Sequence, residues 1–237
     1  MGSITRSFAN NIGSSGILTA NAVTNATVED VTSFDNASAG TLILLSTQTA
    51  SSSANISFTT GLDSTYDEYI FKFINCHPAT VNTNFQFNLS TDSGSNYNVT
   101  KTTTLFRAYH EESGSNYALG YITAGDLAQD TGFQNLTQGN TLSDDNDSSI
   151  SGSLTLFNPS STTYVKHFIA VSSECSEGDP TIRNNFIAGY GNTTSAINAI
   201  QFKMASGNID DGIIKLYGVK KSWWRINNGF NYKIIRK

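Results

Sequence analysis

The chain has 237 residues, enough for one large β-domain or two small ones. A body of this size buries roughly 70% of its unfolded surface, so it needs no metal or disulfide to fold. Its two cysteines, Cys76 and Cys175, exclude a disulfide scaffold and match no zinc spacing, and the longest apolar run, Leu42 to Leu45, is far too short to span a bilayer.

Residues 1–40 are dominated by Ser, Ala, Asn, Thr and Gly and hold no period, so they read as an N-terminal arm, with a short helix around Asn21 to Val31 weakened by Thr and Asn. The start, MGSITRSFANN, lacks the apolar core of a signal peptide, which predicts synthesis in a cytosol and no membrane partner. Strand signals begin at Thr41. Leu42–Thr47 and Ile56–Thr60 are candidates, and Tyr69–Ile74, bulky at every second position on both faces, predicts a central strand. Phe85, Phe87 and Leu89 alternate with Gln86 and Asn88, as a half-buried strand requires. Ser90–Tyr97 supplies turn residues, Val99–Tyr109 a long Thr-rich strand, and Tyr117–Ile122 another strand. A short helix is predicted at 124–129. Leu154–Phe157, the turn Asn158-Pro159-Ser160-Ser161 and Tyr164–Val171 read as a hairpin, followed by Phe186–Tyr190. Ile200, Phe202 and Met204 alternate with polar or small residues, and Ile213–Val219 follows a turn-rich centre, so 200–219 reads as a closing hairpin. On the order of ten short strands at regular spacing predict an all-β fold, an antiparallel sandwich over residues 41–219.

Three histidines carry little chemistry on their own. His77 follows Cys76, but neighbours on a strand point to opposite faces and cannot act as a nucleophile–base pair. His110 has no second His four residues away, and His167 sits in the strand pattern YVKHFIAV. The acidic run Asp144-Asp145-Asn146-Asp147 has Ser149 and Thr155 where a calcium-binding EF-hand needs Gly and Glu. No G-x-S-x-G elbow, P-loop or dinucleotide fingerprint occurs, and no pair of carboxylates is singled out. The chain is therefore expected to be no enzyme and to use no cofactor or metal. Arg107, Tyr109, Tyr117 and Tyr121 mark a stretch whose aromatic and polar mixture suits a sugar-binding face or a subunit interface.

Residues 220–237 form a basic, aromatic tail with six Lys or Arg and no acidic residue, whereas residues 1–219 hold 8 basic and 19 acidic side chains. This division predicts docking of the tail on an acidic surface, in cis or on another copy, and disfavours nucleic acid, which the body repels. Ordering 18 backbone residues costs on the order of 18–36 kcal/mol. Six exposed ion pairs return roughly 0–1 kcal/mol each. Burial of Trp223, Trp224, Phe230 and Tyr232 returns about 15–25 kcal/mol, and Ile226, Ile234 and Ile235 add roughly 1.5–3 kcal/mol each. Those side chains, with Arg225, are the predicted partner interface.

Ser206-Gly207-Asn208-Ile209-Asp210-Asp211-Gly212-Ile213-Ile214-Lys215-Leu216-Tyr217-Gly218 resembles a terminal hairpin common in virion structural proteins of tailed bacteriophages, the marine ones above all, and Ser90 to Tyr97 is similar to a turn in the same proteins. The resemblance covers roughly residues 41–219. It implies a jelly-roll-like fold, a homotrimer contacting other virion proteins, and location in the particle. It implies capsid decoration, a head fibre or a tail fibre alike. Low charge and abundant aromatics suit permanent burial between subunits and make capsid decoration or cement the leading expectation, with a head-fibre, tail-fibre or spike module binding host surface glycan as the alternative. The tail after Lys220 exceeds the pattern, and its role does not follow from it.

Overall fold

The computed structural model describes residues 41–139, 141–176 and 181–220. The predicted N-terminal arm, with its short helix, and the tail beyond Lys220 lie outside them. Thirteen strands occupy the described residues: β1 (Leu42–Ser53), β2 (Ile56–Phe58), β3 (Glu68–Pro78), β4 (Phe85–Ser90), β5 (Lys101–Glu111), β6 (Tyr117–Tyr121), β7 (Ala128–Asp130), β8 (Gln134–Asn135), β9 (Ile150–Phe157), β10 (Lys166–Ser176), β11 (Thr181–Gly191), β12 (Ala199–Met204) and β13 (Ile209–Val219). Every pairing is antiparallel.

The strands form two packed sheets. One is ordered β1-β13-β3-β9-β10-β11-β5-β6, with β7 also on β5, and the other β2-β12-β4-β8. Eight of them, β1-β13-β3-β9 facing β2-β12-β4-β8, have the two-sheet strand order and connectivity of a jelly roll. The remaining strands are insertions: β5, β6 and β7 lie between β4 and β8 in the chain, and β10 and β11 between β9 and β12. They all join the large sheet beyond β9 and extend it well past the jelly-roll frame.

Period-2 patterning explains the core. Phe85, Phe87 and Leu89 on β4 and Ile200, Phe202 and Met204 on β12 point into the sandwich and are buried. Phe202 is the hub, with ring centroids 5.5 Å from Phe71, 5.9 Å from Phe85 and 6.4 Å from both Phe58 and Phe87. Phe73 meets Phe85 at 5.5 Å, and Phe87 meets Phe168 of β10 at 5.1 Å edge-on, so the core continues under the extension. Gly152 on β9 is required by space: a Cβ there would stand 2.3 Å from the Val171 carbonyl oxygen and 2.6 Å from the Phe73 ring.

Two sequence expectations change. The closing hairpin 200–219 does not exist as a pair, because β12 lies in the small sheet between β2 and β4 while β13 lies in the large sheet between β1 and β3. The turn-rich centre carries the chain across the sandwich, and Asp211-Gly212 sits inside β13 at a bulge, with Gly212 at φ 130°. The predicted helix at 124–129 is replaced by the 3₁₀ turn Thr123–Gly125 and by β7. The Asp126 carboxylate accepts the Leu105 backbone N–H at 2.8 Å, which fixes that segment along β5 instead of in a helix. At the other end of the large sheet, Leu42 pairs with Val219, and the Lys220 N–H donates to the Thr41 carbonyl at 2.8 Å.

Candidate functional site: two faces of the sheet extension

The extension inverts the usual pattern of a half-exposed sheet. Every Lys, Arg, Asp or Glu of β5, β10 and β11 points to the inner face: Lys101, Arg107, Glu111, Lys166, Glu174 and Arg183. The outward positions are His167, Ile169, Val171, Ser173 and Cys175 on β10, Ile182, Asn184, Phe186, Ala188 and Tyr190 on β11, and Thr102, Thr104, Phe106, Ala108 and His110 on β5. Tyr117, Leu119 and Tyr121 of β6, and Ser151, Ser153, Thr155 and Phe157 of β9, continue this face. Across five adjacent strands it carries no formally charged residue.

The outer face is also rich in exposed apolar groups. Leu119 is 72% exposed, Ile169 51% and Phe106 43%. Phe106 stacks on Phe186 at 4.9 Å, His110 on Tyr117 at 6.0 Å, and the Tyr121 hydroxyl bonds Asp126. A groove of about 540 Å³ crosses β9, β10, β11 and β5 between Phe157, His167, Ile169 and Tyr190, where the small side chain of Ala188 leaves room.

The inner face at the far end of β5 and β11 is a polar pocket of about 210 Å³, lined by Arg107, Tyr109, Glu111, Asn116, Thr181 and Arg183. Arg107 Nη1 donates to the Gln138 carbonyl at 2.6 Å, and its guanidinium lies over the Tyr109 ring at 5.8 Å. The Tyr109 hydroxyl donates to Asn116 Oδ1 at 3.0 Å, and Asn116 Nδ2 donates to Glu111 Oε1 at 2.7 Å. Beneath them Arg183 Nη1 lies 3.8 Å from Oε1 of the fully buried Glu174, which also accepts from Thr141 Oγ1 at 3.0 Å. Burial pushes the Glu174 carboxyl up to about 7 against the pull of Arg183, Thr141 and Arg107. Burial also pulls Arg183 below the usual guanidinium range, despite Glu174. Both partners shift toward neutrality, so desolvation outweighs this long ion pair.

The four residues singled out as a possible glycan or interface stretch are divided by the strand pleat. Arg107 and Tyr109 enter the inner pocket, whereas Tyr117 and Tyr121 stand on the outer face. They lie on a β5–β6 hairpin. Sequence reading missed Arg183, Glu174 and Asn116. The first two are opposite one another in the β10–β11 pair, a register that follows when Ser176 is paired with Thr181. Trp223, Trp224, Arg225, Ile226, Phe230, Tyr232, Ile234 and Ile235 lie outside the described residues.

Other candidate groups are structural. Cys76 is buried, with its thiol pushed up to about 12 by burial. His77 Nε2 lies 2.7 Å from the Asp145 carbonyl. The Asp144–Asp147 run is a turn closed by the Ser148 N–H to the Asp145 carbonyl at 2.9 Å, and among the described residues no group of three or more His, Cys, Asp or Glu is arranged to hold a metal ion. Comparison with family models, curated proteins and solved structures gives no match.

Proposed function

We propose that this chain is a non-enzymatic structural subunit of a bacteriophage particle, a capsid decoration or cement protein that assembles with copies of itself through the uncharged face of its extended sheet. The observation that carries this reading is the segregation of charge. An exposed sheet face normally takes the polar residues, yet here β5, β10 and β11 turn every charge inward and leave aromatic, aliphatic and hydroxyl side chains outside. Depletion of charge with enrichment of aromatics is the composition of an interface core.

Five strands about 4.8 Å apart and roughly 30 Å long give a face on the order of 700 Å², near the approximately 800 Å² per partner of a standard interface. A second copy is the favoured occupant. Residues 1–219 carry 8 basic and 19 acidic side chains, so two copies repel except where a face bears no charge. A homotrimer places such faces around one axis. The phage assignment is supported by the resemblance of Ser206 to Gly218 and Ser90 to Tyr97 to virion proteins, and the terminal segments are assigned the contacts to neighbouring capsid subunits.

The test is to express the full chain with a small epitope tag in cells producing the particles and to locate the tag by electron microscopy. Regularly spaced label on heads supports decoration. Label confined to tails overturns decoration in favour of a fibre or spike, and particles without label overturn the virion reading.

A further inference from the structure

The polar pocket on the inner face is built unlike a stabilising ion-pair network. Arg183 Nε and Nη1 and Arg107 Nε are buried without a hydrogen-bond partner, and so are the acceptors Glu174 Oε2 and Asn185 Oδ1. Buried guanidinium donors left unmade are costly, and both guanidinium side chains also line the open pocket, where a bound anion would offset that cost electrostatically.

We propose that this pocket binds a single carboxylated sugar unit, its carboxylate paired with Arg183 and Arg107 and its ring hydroxyls read by Asn116, Glu111 and Tyr109. The planar guanidinium edges match a carboxylate in two-point geometry. The amide and carboxylate of Asn116 and Glu111, already oriented by the bonds from Tyr109 and between themselves, present the donor and acceptor mixture that hydroxyls require. A volume of about 210 Å³ is below the approximately 300–1,000 Å³ of drug-sized ligand sites, which limits the occupant to one ring. Glu111 on the wall offsets one of the two arginines, and Glu174 below, which burial shifts toward its neutral form, offsets the other only in part, so the site favours a monoanion over sulfate or phosphate dianions. The pocket opens on the opposite side of the sheet from the uncharged face, so ligand binding and self-assembly are compatible, and the proposal stands whether or not the chain is a virion protein. In a particle, it would give the glycan-binding fibre or spike alternative a specific ligand class: acidic surface polysaccharide.

The experiment is saturation-transfer NMR and calorimetry on the full chain with glucuronate, galacturonate and N-acetylneuraminate, set against glucose, galactose, acetate and sulfate. At least one acidic sugar should bind at least tenfold more tightly than its neutral counterpart and than acetate. R183Q should lose that binding at least tenfold with an unchanged circular dichroism spectrum. If R183Q fails to fold, Asn116→Ala takes its place, because Asn116 lies at the exposed wall, and it should weaken the acidic sugar at least threefold without altering acetate. Sulfate binding as tightly as the best sugar, equal binding of neutral and acidic sugars, no binding of any sugar, or full retention in R183Q or N116A would each overturn the proposal.

Discussion

Phe106 and Phe186 lie flat on one another across the β5–β11 pair, their ring planes 7° from parallel, on the side of the large sheet that faces away from the small sheet. Stacked rings in that position contribute cross-strand stability of only about 0.2–1 kcal/mol, and their outer surfaces remain open. A pair of this kind is more consequential for what touches it than for the fold beneath it.

The double variant Phe106→Lys with Ile169→Lys should therefore separate assembly from folding. Sedimentation velocity of the full chain should show self-association weakened at least a hundredfold, because two unpaired ammonium groups enter a face that has none. Loss of the Phe106–Phe186 stack costs about 0.2–1 kcal/mol and a change at the exposed Ile169 within about 0.5 kcal/mol, so the urea midpoint should fall only slightly below that of the parent. A variant that associates normally refutes this face as the interface.

The core hub gives the opposite result. Phe202→Ala removes a ring that contacts Phe58, Phe71, Phe85 and Phe87 and joins both sheets. Its cost should be about 3–5 kcal/mol, measured by urea denaturation, with a lower midpoint and little change in slope.

Space at Gly152 can be probed with a single methyl. Gly152→Ala forces Cβ against the Val171 backbone oxygen, which cannot rotate away, and should cost roughly 1–3 kcal/mol. Gly120→Ala on β6 meets nothing within 4 Å and should be close to neutral in the same thermal melt.

Glu174 supplies a pH signature. Its carboxyl is raised from 4.5 to about 7 by burial, so the native state holds a proton that the unfolded chain releases above about pH 4.5. Its contribution is fully present below pH 4.5 and is lost as the pH rises through 7. The stability of the parent relative to E174Q should fall by on the order of 2–3 kcal/mol between those values and be level outside them. A pH-independent difference between the two proteins would show that folding leaves the Glu174 carboxyl unshifted.

Much of this fold was legible because strand alternation is a local property. Phe85, Phe87 and Leu89 declared an inward face before any partner was known, and the structure buries all three. Pairing is not local. Ile200–Met204 followed by Ile213–Val219 reads identically whether the chain returns in the same sheet or crosses to the facing one, and it crosses. The helix expected at 124–129 failed because a short segment held to β5 by Asp126 has no sequence period to reveal it. For the candidate sites, Arg107 and Tyr109 were visible as unusual residues, but their separation from Tyr117 and Tyr121 depends on which face each occupies. Arg183 and Glu174 became a pair only through the β10–β11 register.

The bond from the Lys220 N–H to the Thr41 carbonyl closes the folded body into a ring of chain. Its two ends leave from one corner, so joining them with a short linker would interrupt no strand. The sandwich can then be opened elsewhere, for example between the exposed Thr162 and Thr163 in the β9–β10 turn. Such a circular permutant would keep both sheets while moving the chain ends to the opposite side of the hairpin, and cargo fused at the original corner would carry two attachment points instead of one.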